Sequence, residues 1–285
     1  MNGLDRTFGI STHLFHEKRL SREHLVDIAA HGFETVEVFA TRSHFDYRDP
    51  KAVRDVAEWL SDTRLRLHSV HAPIVEAIRD RKWVGSFSTA AGDEARRRQA
   101  VEEAKAALEI ARVIPFGHLV LHLGMPVEEK VPSGDNQPGA ARRSVEEIAE
   151  AAAAVNVKVA VEVIPNPLST PVALCRLIEE DLEDVEVGIC LDYGHANLLG
   201  DVAEAIETIS GHLVTTHVHD NAGRRDDHLV PFAGRIDWDV AIMSTQKVGY
   251  DGVLMFEVAD SGNPMDVLKK AAAARERLEK LFVTF

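Results

Sequence analysis

The segment HLVTTHVHDNAGRRDDH (residues 212–228) joins an apolar, β-branched run to a dense group of histidines and aspartates. A run of this composition is typical of a buried β-strand. Since side chains alternate between the two faces of a strand, His217 and His219 share one face. Asp226 and His228 follow a turn rich in Asn and Gly, so we expect the loop to fold back toward the strand end. The segment therefore predicts a strand whose carboxyl end carries several groups that can bind a metal or transfer a proton.

Runs of the same kind recur along the whole chain, and an amphipathic helical pattern follows each of them. We place eight strands at 7–12, 35–39, 66–72, 118–123, 158–164, 185–192, 212–220 and 252–258. Regular alternation of strands and helices is typical of a parallel sheet covered by helices, and eight repeats predict a closed (β/α)₈ TIM barrel in the α/β class. No linker or low-complexity tract interrupts the pattern, so we predict a single domain over residues 1–285. Two longer connections, 73–92 and 124–138, follow strand ends on the side where barrels carry their working loops.

The composition of the chain argues against several classes of protein. The chain has 285 residues, of which 45% are hydrophobic and 27% charged, as in ordinary globular proteins. Its formal net charge of −14 disfavours a nucleic-acid partner. Cys175 and Cys190 form neither a CxxC pair nor a disulfide framework. No apolar stretch is long enough to cross a membrane and the N-terminus lacks a signal-peptide pattern, so we expect a cytoplasmic protein without a membrane partner.

Ligand-type residues occupy the last inward position of every predicted strand. They are His13, Glu37, His71, His122, Glu162, Asp192, His217 with His219, and Glu257. Such residues are rare in buried strand interiors, and carboxylates that meet at one barrel mouth repel one another. A divalent cation would remove that repulsion, and oxygen with imidazole ligands suits Zn²⁺, Mn²⁺ or Co²⁺ better than Ca²⁺. Asp192 and His195 add a DxxH spacing just beyond the sixth strand.

Each of these residues alone also fits a structural role. A single histidine at a strand end is often only a hydrogen-bonded core residue, and Asp226 with His228 fits an exposed polar loop. Arg224 and Arg225 fit either a solvated surface or a site for an anionic substrate group. Trp83, with Phe39 and Phe232, fits either a pocket wall or the core.

Several short motifs give the chain a resemblance to a known family. They are VHAP (70–73), LHLG (121–124), VEVIPNP (161–167), LDYGH (191–195), HVHDN (217–221), DDHLVPFAGRIDW (226–238) and FEV (256–258). Together they resemble, over nearly the whole chain, the xylose isomerase-like TIM barrels, which include sugar and sugar-phosphate isomerases and epimerases and the apurinic endonuclease IV.

The resemblance implies two ligand sets. In the ketose epimerases one Mn²⁺-type ion is bound by Glu, Asp, His and Glu, and these positions are Glu162, Asp192, His217 and Glu257 here. In endonuclease IV three zinc ions use a larger set, which falls here on His71, His122, Glu162, Asp192, His195, His217, Asp226, His228 and Glu257. The epimerases usually carry a further substrate-binding Glu six residues beyond the first ligand, where this chain has Leu168. The connections after the second and third strands do not resemble the DNA-inserting loops of the endonuclease.

We therefore expect a metal-dependent isomerase or epimerase that acts on a small sugar, keto-sugar or sugar phosphate through a stabilised enediolate. The resemblance gives the proton transfers to Glu162 and Glu257, and the substrate contacts are expected from His195, His219, Arg224, Glu37 and Trp83. The expected partners are the small-molecule substrate and further copies of the chain, since such barrels commonly form homo-oligomers. The alternatives are a multi-zinc phosphodiester hydrolase and a non-catalytic sugar- or metal-binding barrel.

Overall fold

The computed structural model describes residues 6–79, 82–126, 132 and 134–283. Their strands are β1 (Phe8–Ser11), β2 (Thr35–Phe39), β3 (Arg66–His71), β4 (Val75–Arg79), β5 (Lys82–Ser86), β6 (His118–Leu121), β7 (Lys158–Glu162), β8 (Val187–Asp192), β9 (Leu213–Val218) and β10 (Leu254–Phe256). Eight of them pair in parallel and close into a barrel in the order β1-β10-β9-β8-β7-β6-β3-β2. The predicted TIM barrel in a single domain is confirmed, and all eight predicted strands are present.

The helices cover the outside of this barrel. Within the described residues they are α1 (Arg22–Ala30), α2 (Pro50–Thr63), α3 (Glu94–Leu108), α4 (Pro138–Ala153), α5 (Pro171–Arg176), α6 (Tyr193–Leu199), α7 (Val202–Ile209), α8 (Trp238–Lys247) and α9 (Pro264–Val283). Short 3₁₀ turns lie at Thr12–Phe15 and Glu109–Arg112, and a π turn at Leu177–Asp181. Among the described segments, no helix is long and apolar enough to cross a membrane.

Aspartate caps explain where several helices begin. The side chains of Asp93, Asp201 and Asp237 each accept a hydrogen bond from the backbone N–H three residues later. This contact satisfies one of the N–H groups that lack a partner in the first helical turn. Asp192 caps α6 in the same way, so that one residue both ends β8 and starts the next helix.

The apolar core lies mainly between the barrel and its helices. Residues that face outward from the strands are fully buried beneath the helices, as at Val36, Leu119 and Ile189. A small separate cluster that includes Val120, Ala160 and Cys190 fills the barrel interior. Because apolar packing outside the barrel supplies most of the burial, the upper interior positions are free to carry polar groups.

The connection at 73–92, whose structure the sequence pattern left open, contains an antiparallel hairpin of β4 and β5. Trp83 lies on this hairpin and is 40% exposed. The second long connection, 124–138, falls partly outside the described residues.

Candidate metal centre

Three groups of histidine and carboxylate side chains meet at the carboxyl ends of the barrel strands. In each group the ligand atoms all lie within 4.8 Å of one another. We name them the inner group (Glu162, Asp192, His217, Glu257), the side group (His71, His122, Glu162) and the outer group (His195, His219, Asp226, His228). Glu162 belongs to two of them.

The inner group is placed by strand register. Asp192 at the end of β8 pairs with His217 on β9, and Glu162 at the end of β7 lies one strand further on. Nδ1 of His217 is 3.1 Å from Oε1 of Glu162, 3.4 Å from Oε2 of Glu257 and 3.9 Å from Oδ2 of Asp192. All four residues are buried. Three carboxylates and one imidazole thus converge on a space that would suit one divalent cation.

The side group contains a buried oxygen that has no hydrogen-bond partner in the described part of the chain. Oε2 of Glu162 lies 3.0 Å from Nε2 of His122 and 3.3 Å from Nε2 of His71. Neither contact has hydrogen-bond geometry, so this oxygen has no partner among the described residues, and the same is true of Oδ1 of Asp226 in the outer group. An unpartnered buried oxygen is costly. Since a cation between these ligand atoms would satisfy them, the side chains present fit a metal.

The outer group joins the barrel wall to a loop. His195 lies on α6 and His219 follows β9, whereas Asp226 and His228 belong to the loop after β9. Oδ2 of Asp226 is 3.0 Å from Nε2 of His195 and 2.9 Å from Nε2 of His228. The rings of His219 and His228 stack with centroids 4.0 Å apart. The alternative of a purely exposed loop is wrong for these two loop residues, because their side chains are only 27% and 16% exposed.

Asp220 holds this loop in place. Backbone hydrogen bonds between Asp220 and Leu229 turn the loop back on the strand end, as predicted from the turn at Asn221. The fully buried carboxylate of Asp220 then accepts five hydrogen bonds, from the backbone N–H groups of Asn221, Phe232, Arg235 and Ile236 and from Nε1 of Trp238. One side chain therefore organises the segment that carries half of the outer group.

Backbone carbonyl groups orient the rings of three of the histidines. Nδ1 of His71, His195 and His228 lies 2.9, 3.0 and 2.8 Å from the backbone carbonyl oxygens of Ala72, Val163 and Glu257. A ring N–H that donates to a carbonyl leaves the opposite nitrogen, Nε2, as the free acceptor. In all three residues that Nε2 faces the carboxylates.

His217 has the opposite orientation. Its Nε2 lies 3.1 Å from Oε2 of Glu37, and its Nδ1 faces the inner group. Glu37 is fully buried beneath His217 and also accepts a hydrogen bond of 2.8 Å from Oγ of Ser69. The structure therefore places Glu37, expected from the sequence at the substrate, behind a ligand candidate.

The carboxylates and imidazoles of the three groups shift one another's pKa values. Burial alone would raise the pKa of Glu162, but the neighbouring His217 and His122 hold it well below its usual value. Burial alone would lower the pKa of His195, but Asp192 and Asp226 raise it well above the usual value. Without a cation the His195 imidazole thus takes up a proton, and metal binding would release it.

The remaining predicted residues lie further out. Arg224 is exposed in the loop after β9, and Trp83 lies on the β4–β5 hairpin. Phe39 is buried at the mouth, where its ring lies 4.7 Å from that of His71 and 5.0 Å from that of His13. Sequence reasoning missed the functions of Asp220 and Ser69. Its only signal for Asp220 was that residue's place in the HVHDN motif.

Comparisons with known proteins agree with this architecture. A family model described as xylose isomerase-like TIM barrel matches residues 25–281. An uncharacterized protein of Methanocaldococcus jannaschii is 28% identical over 283 residues, which cover 97% of this chain and 90% of that protein.

Solved structures include similar barrels. A D-tagatose 3-epimerase-like protein has a TM-score of 0.76 at 25% identity, with 96% of each chain covered. The IolI protein, solved with a bound zinc atom, has a TM-score of 0.77 at 16% identity, with 98% of this chain and 100% of that chain covered; this likeness shows the fold alone. From the family match and the shared architecture, the chain belongs to the xylose isomerase-like TIM barrel family.

Proposed function

We propose that the protein is a divalent-metal-dependent isomerase or epimerase of a small sugar, keto-sugar or sugar phosphate, with Zn²⁺ or Mn²⁺ bound by the inner group. The observation that carries the proposal is the convergence of four buried ligands, two of them glutamates, at the carboxyl ends of the strands. Carboxyl ends of barrel strands are where such folds carry their active sites. The epimerase-like structural neighbour at 25% identity supports the same reading.

The two glutamates are suited to move a proton. A bound divalent cation would supply the positive charge that stabilises negative charge developing on the substrate oxygens. Glu162 and Glu257 approach the same nitrogen of His217 from separate strands, at 3.1 and 3.4 Å. One carboxylate would take the proton from carbon and the other would return it, which is general acid/base catalysis worth about 10²- to 10⁴-fold. The low pKa of Glu162 keeps that residue in the basic form.

The substrate contacts are proposed for residues at the rim. His195 and His219 lie at the inner side of the outer group, and Arg224 is exposed on the loop above it. Arg224 would meet an anionic substituent of the substrate. Trp83 would contact the substrate from the hairpin.

Solvent-exchange experiments test the proposal. The metal-loaded protein is incubated with candidate ketoses in D₂O, and turnover should place deuterium on a substrate carbon. The isosteric variants Glu162→Gln and Glu257→Gln should lose at least about 100-fold in rate. Glu186→Gln is the matched control, since the Glu186 side chain is 86% exposed. Turnover without any carbon-bound deuterium would contradict the proton-transfer mechanism.

A second candidate is a multi-zinc phosphodiester hydrolase. It is favoured by one observation: the inner and side groups share Glu162, and the outer group adjoins them, since Nε2 of His219 lies 2.9 Å from Oδ2 of Asp192. Together the three groups offer more ligands than a single ion uses. Metal analysis distinguishes the candidates. About one ion per chain with ketose turnover supports the isomerase, whereas about three zinc ions with cleavage of duplex DNA at abasic sites supports the hydrolase.

A further inference from the structure

Glu37 is a buried carboxylate for which the barrel core has no structural need. The residue is fully buried on β2, inside the barrel. Its Oε2 accepts hydrogen bonds from Ser69 and His217, and its Oε1 has no partner among the described residues. Burying a carboxylate is costly unless it is paired, and an apolar side chain would fill the same space without that cost. The pattern of its contacts indicates a function directed at His217.

His217 is the one inner-group histidine, and its orientation depends on a side chain. The rings of His71, His195 and His228 are oriented by backbone carbonyls, which no substitution of a side chain removes. His217 instead donates from Nε2 to the carboxylate of Glu37 at 3.1 Å. A proton on Nε2 leaves Nδ1 as the acceptor that faces Glu162 and Glu257.

Ser69 orients Glu37 in turn. The register between β2 and β3 pairs Ser69 with Glu37, just beyond a bulge between Val36 and Glu37. The Ser69 hydroxyl donates to Oε2 of Glu37 at 2.8 Å, the same oxygen that faces His217.

We infer that Glu37 is the positioning residue of the inner group: it holds the Nδ1-acceptor tautomer of His217 and increases the basicity of that nitrogen, while Ser69 orients Glu37. The inference rests on the proposed metal-dependent function. We expect the effect to be largest for the inner group, because among the described residues His217 is the only histidine of the three groups that forms a hydrogen bond with Glu37. Partners of this kind change metal affinity about 10- to 100-fold when substituted.

Zn²⁺ binding to the full chain tests the inference. Wild type, Glu37→Gln, Ser69→Ala and Asp226→Asn are stripped of metal, checked for folding by circular dichroism, and titrated with Zn²⁺ against a chromophoric chelator. Glu37→Gln keeps the shape of the side chain and removes its charge, so the Zn²⁺ affinity of one class of sites should fall about 10- to 100-fold. Ser69→Ala removes one hydrogen bond and should lower the affinity of the same class of sites about 2- to 10-fold. Asp226→Asn is the matched carboxylate control, and it should lower the affinity of a different class of sites.

A second readout follows the hydrogen bond between His217 and Glu37. In the Zn²⁺-loaded protein Nδ1 of His217 would bind the ion and Nε2 would carry the proton, so the ¹⁵N shift of Nε2 reports how strongly that N–H is hydrogen-bonded. Glu37→Gln should move this shift toward that of a weakly hydrogen-bonded N–H. A folded Glu37→Gln variant with Zn²⁺ affinity within about 3-fold of wild type overturns the inference, as does an equal loss from every class. If Glu37→Gln does not fold, the titration of Ser69→Ala decides: a loss of less than about 2-fold, or an equal loss from every class of site, overturns the inference. Wild-type protein that binds no Zn²⁺ or Mn²⁺ overturns the proposed function itself, and the inference with it.

Discussion

The substitution Asp220→Asn should loosen the loop that carries Asp226 and His228 without touching any ligand. The Asp220 carboxylate is fully buried and contacts only the backbone of the loop and the indole N–H of Trp238. Asparagine has the same shape but replaces one oxygen by an NH₂ group, which cannot accept. We therefore expect a loss of stability and, with it, loss of the outer group.

The expected loss of stability follows from how the five hydrogen bonds are distributed between the two oxygens of Asp220. Oδ1 accepts three of them, at 2.9, 3.0 and 3.2 Å, and Oδ2 accepts two, at 3.0 and 2.9 Å. Whichever oxygen is replaced, at least two buried donors lose their acceptor. Hydrogen bonds to a charged group are worth about 1.5 to 3 kcal/mol each, so the free energy of unfolding should fall by about 3 to 6 kcal/mol.

Urea denaturation of the metal-free protein measures this loss, and hydrogen exchange of the amides between 221 and 236 locates it. Asp227→Asn is the matched control in the same loop. Asp227 accepts from the backbone of Ala222 at 3.2 Å and pairs with Arg225, whose side chain is 81% exposed, so its loss should cost about 1 kcal/mol or less. A loss below about 1 kcal/mol for Asp220→Asn, with unchanged exchange in the loop, would refute the reasoning.

Three further predictions follow from the geometry. Gly194→Ala should displace His219 and weaken metal binding by the outer group, since an added Cβ would overlap the His219 ring; metal titration against wild type checks this. Saturating Zn²⁺ at a thousand times its dissociation constant should stabilise the protein by about 4 kcal/mol, and a calorimetric midpoint unchanged by chelator would exclude a tightly bound ion. Burial lowers the pKa of His44 to about 4, so below about pH 6.5 the unfolded chain binds a proton that the folded chain does not. The His44 side chain should therefore lower the stability as the pH drops from 6.5 to 4, by up to about 1.4 kcal/mol per pH unit, and urea titrations of His44→Gln should show a slope smaller than that of wild type by this amount.

The barrel and the inner group were predictable because both depend on local pattern. Alternation along each strand determines which residues point inward, and parallel strands bring their carboxyl ends to one rim. Glu162, Asp192 and His217 are each the last or nearly the last inward residue of their strands, so a period of two predicts that they lie at this rim. The resemblance to the ketose epimerases then selected them, with Glu257, from the larger series of ligand-type residues there.

The residues that position the ligand candidates, Glu37 and Asp220, were not predictable in the same way. Glu37 meets His217 although β1 and β10 separate their strands in the barrel order, so the contact depends on packing across the interior. The donors to Asp220 extend to Trp238 along an irregular loop, which has no periodicity to interpret. The hairpin of β4 and β5 was missed because its strands are short. β5 is largely exposed, and the buried face of β4 consists of Val75 and Ala77, which are too few residues to show a period.

The candidate ligands of the centre come from two kinds of segment, the barrel itself and the loop that Asp220 anchors. The inner and side groups consist of residues at the ends of barrel strands. The outer group also needs Asp226 and His228, which lie in the segment from Asn221 to Arg235 that folds over the mouth. One buried carboxylate, that of Asp220, anchors both ends of that segment. A different segment between the same two anchor points would change how many ligand-type side chains reach the mouth, while the barrel beneath would keep its own.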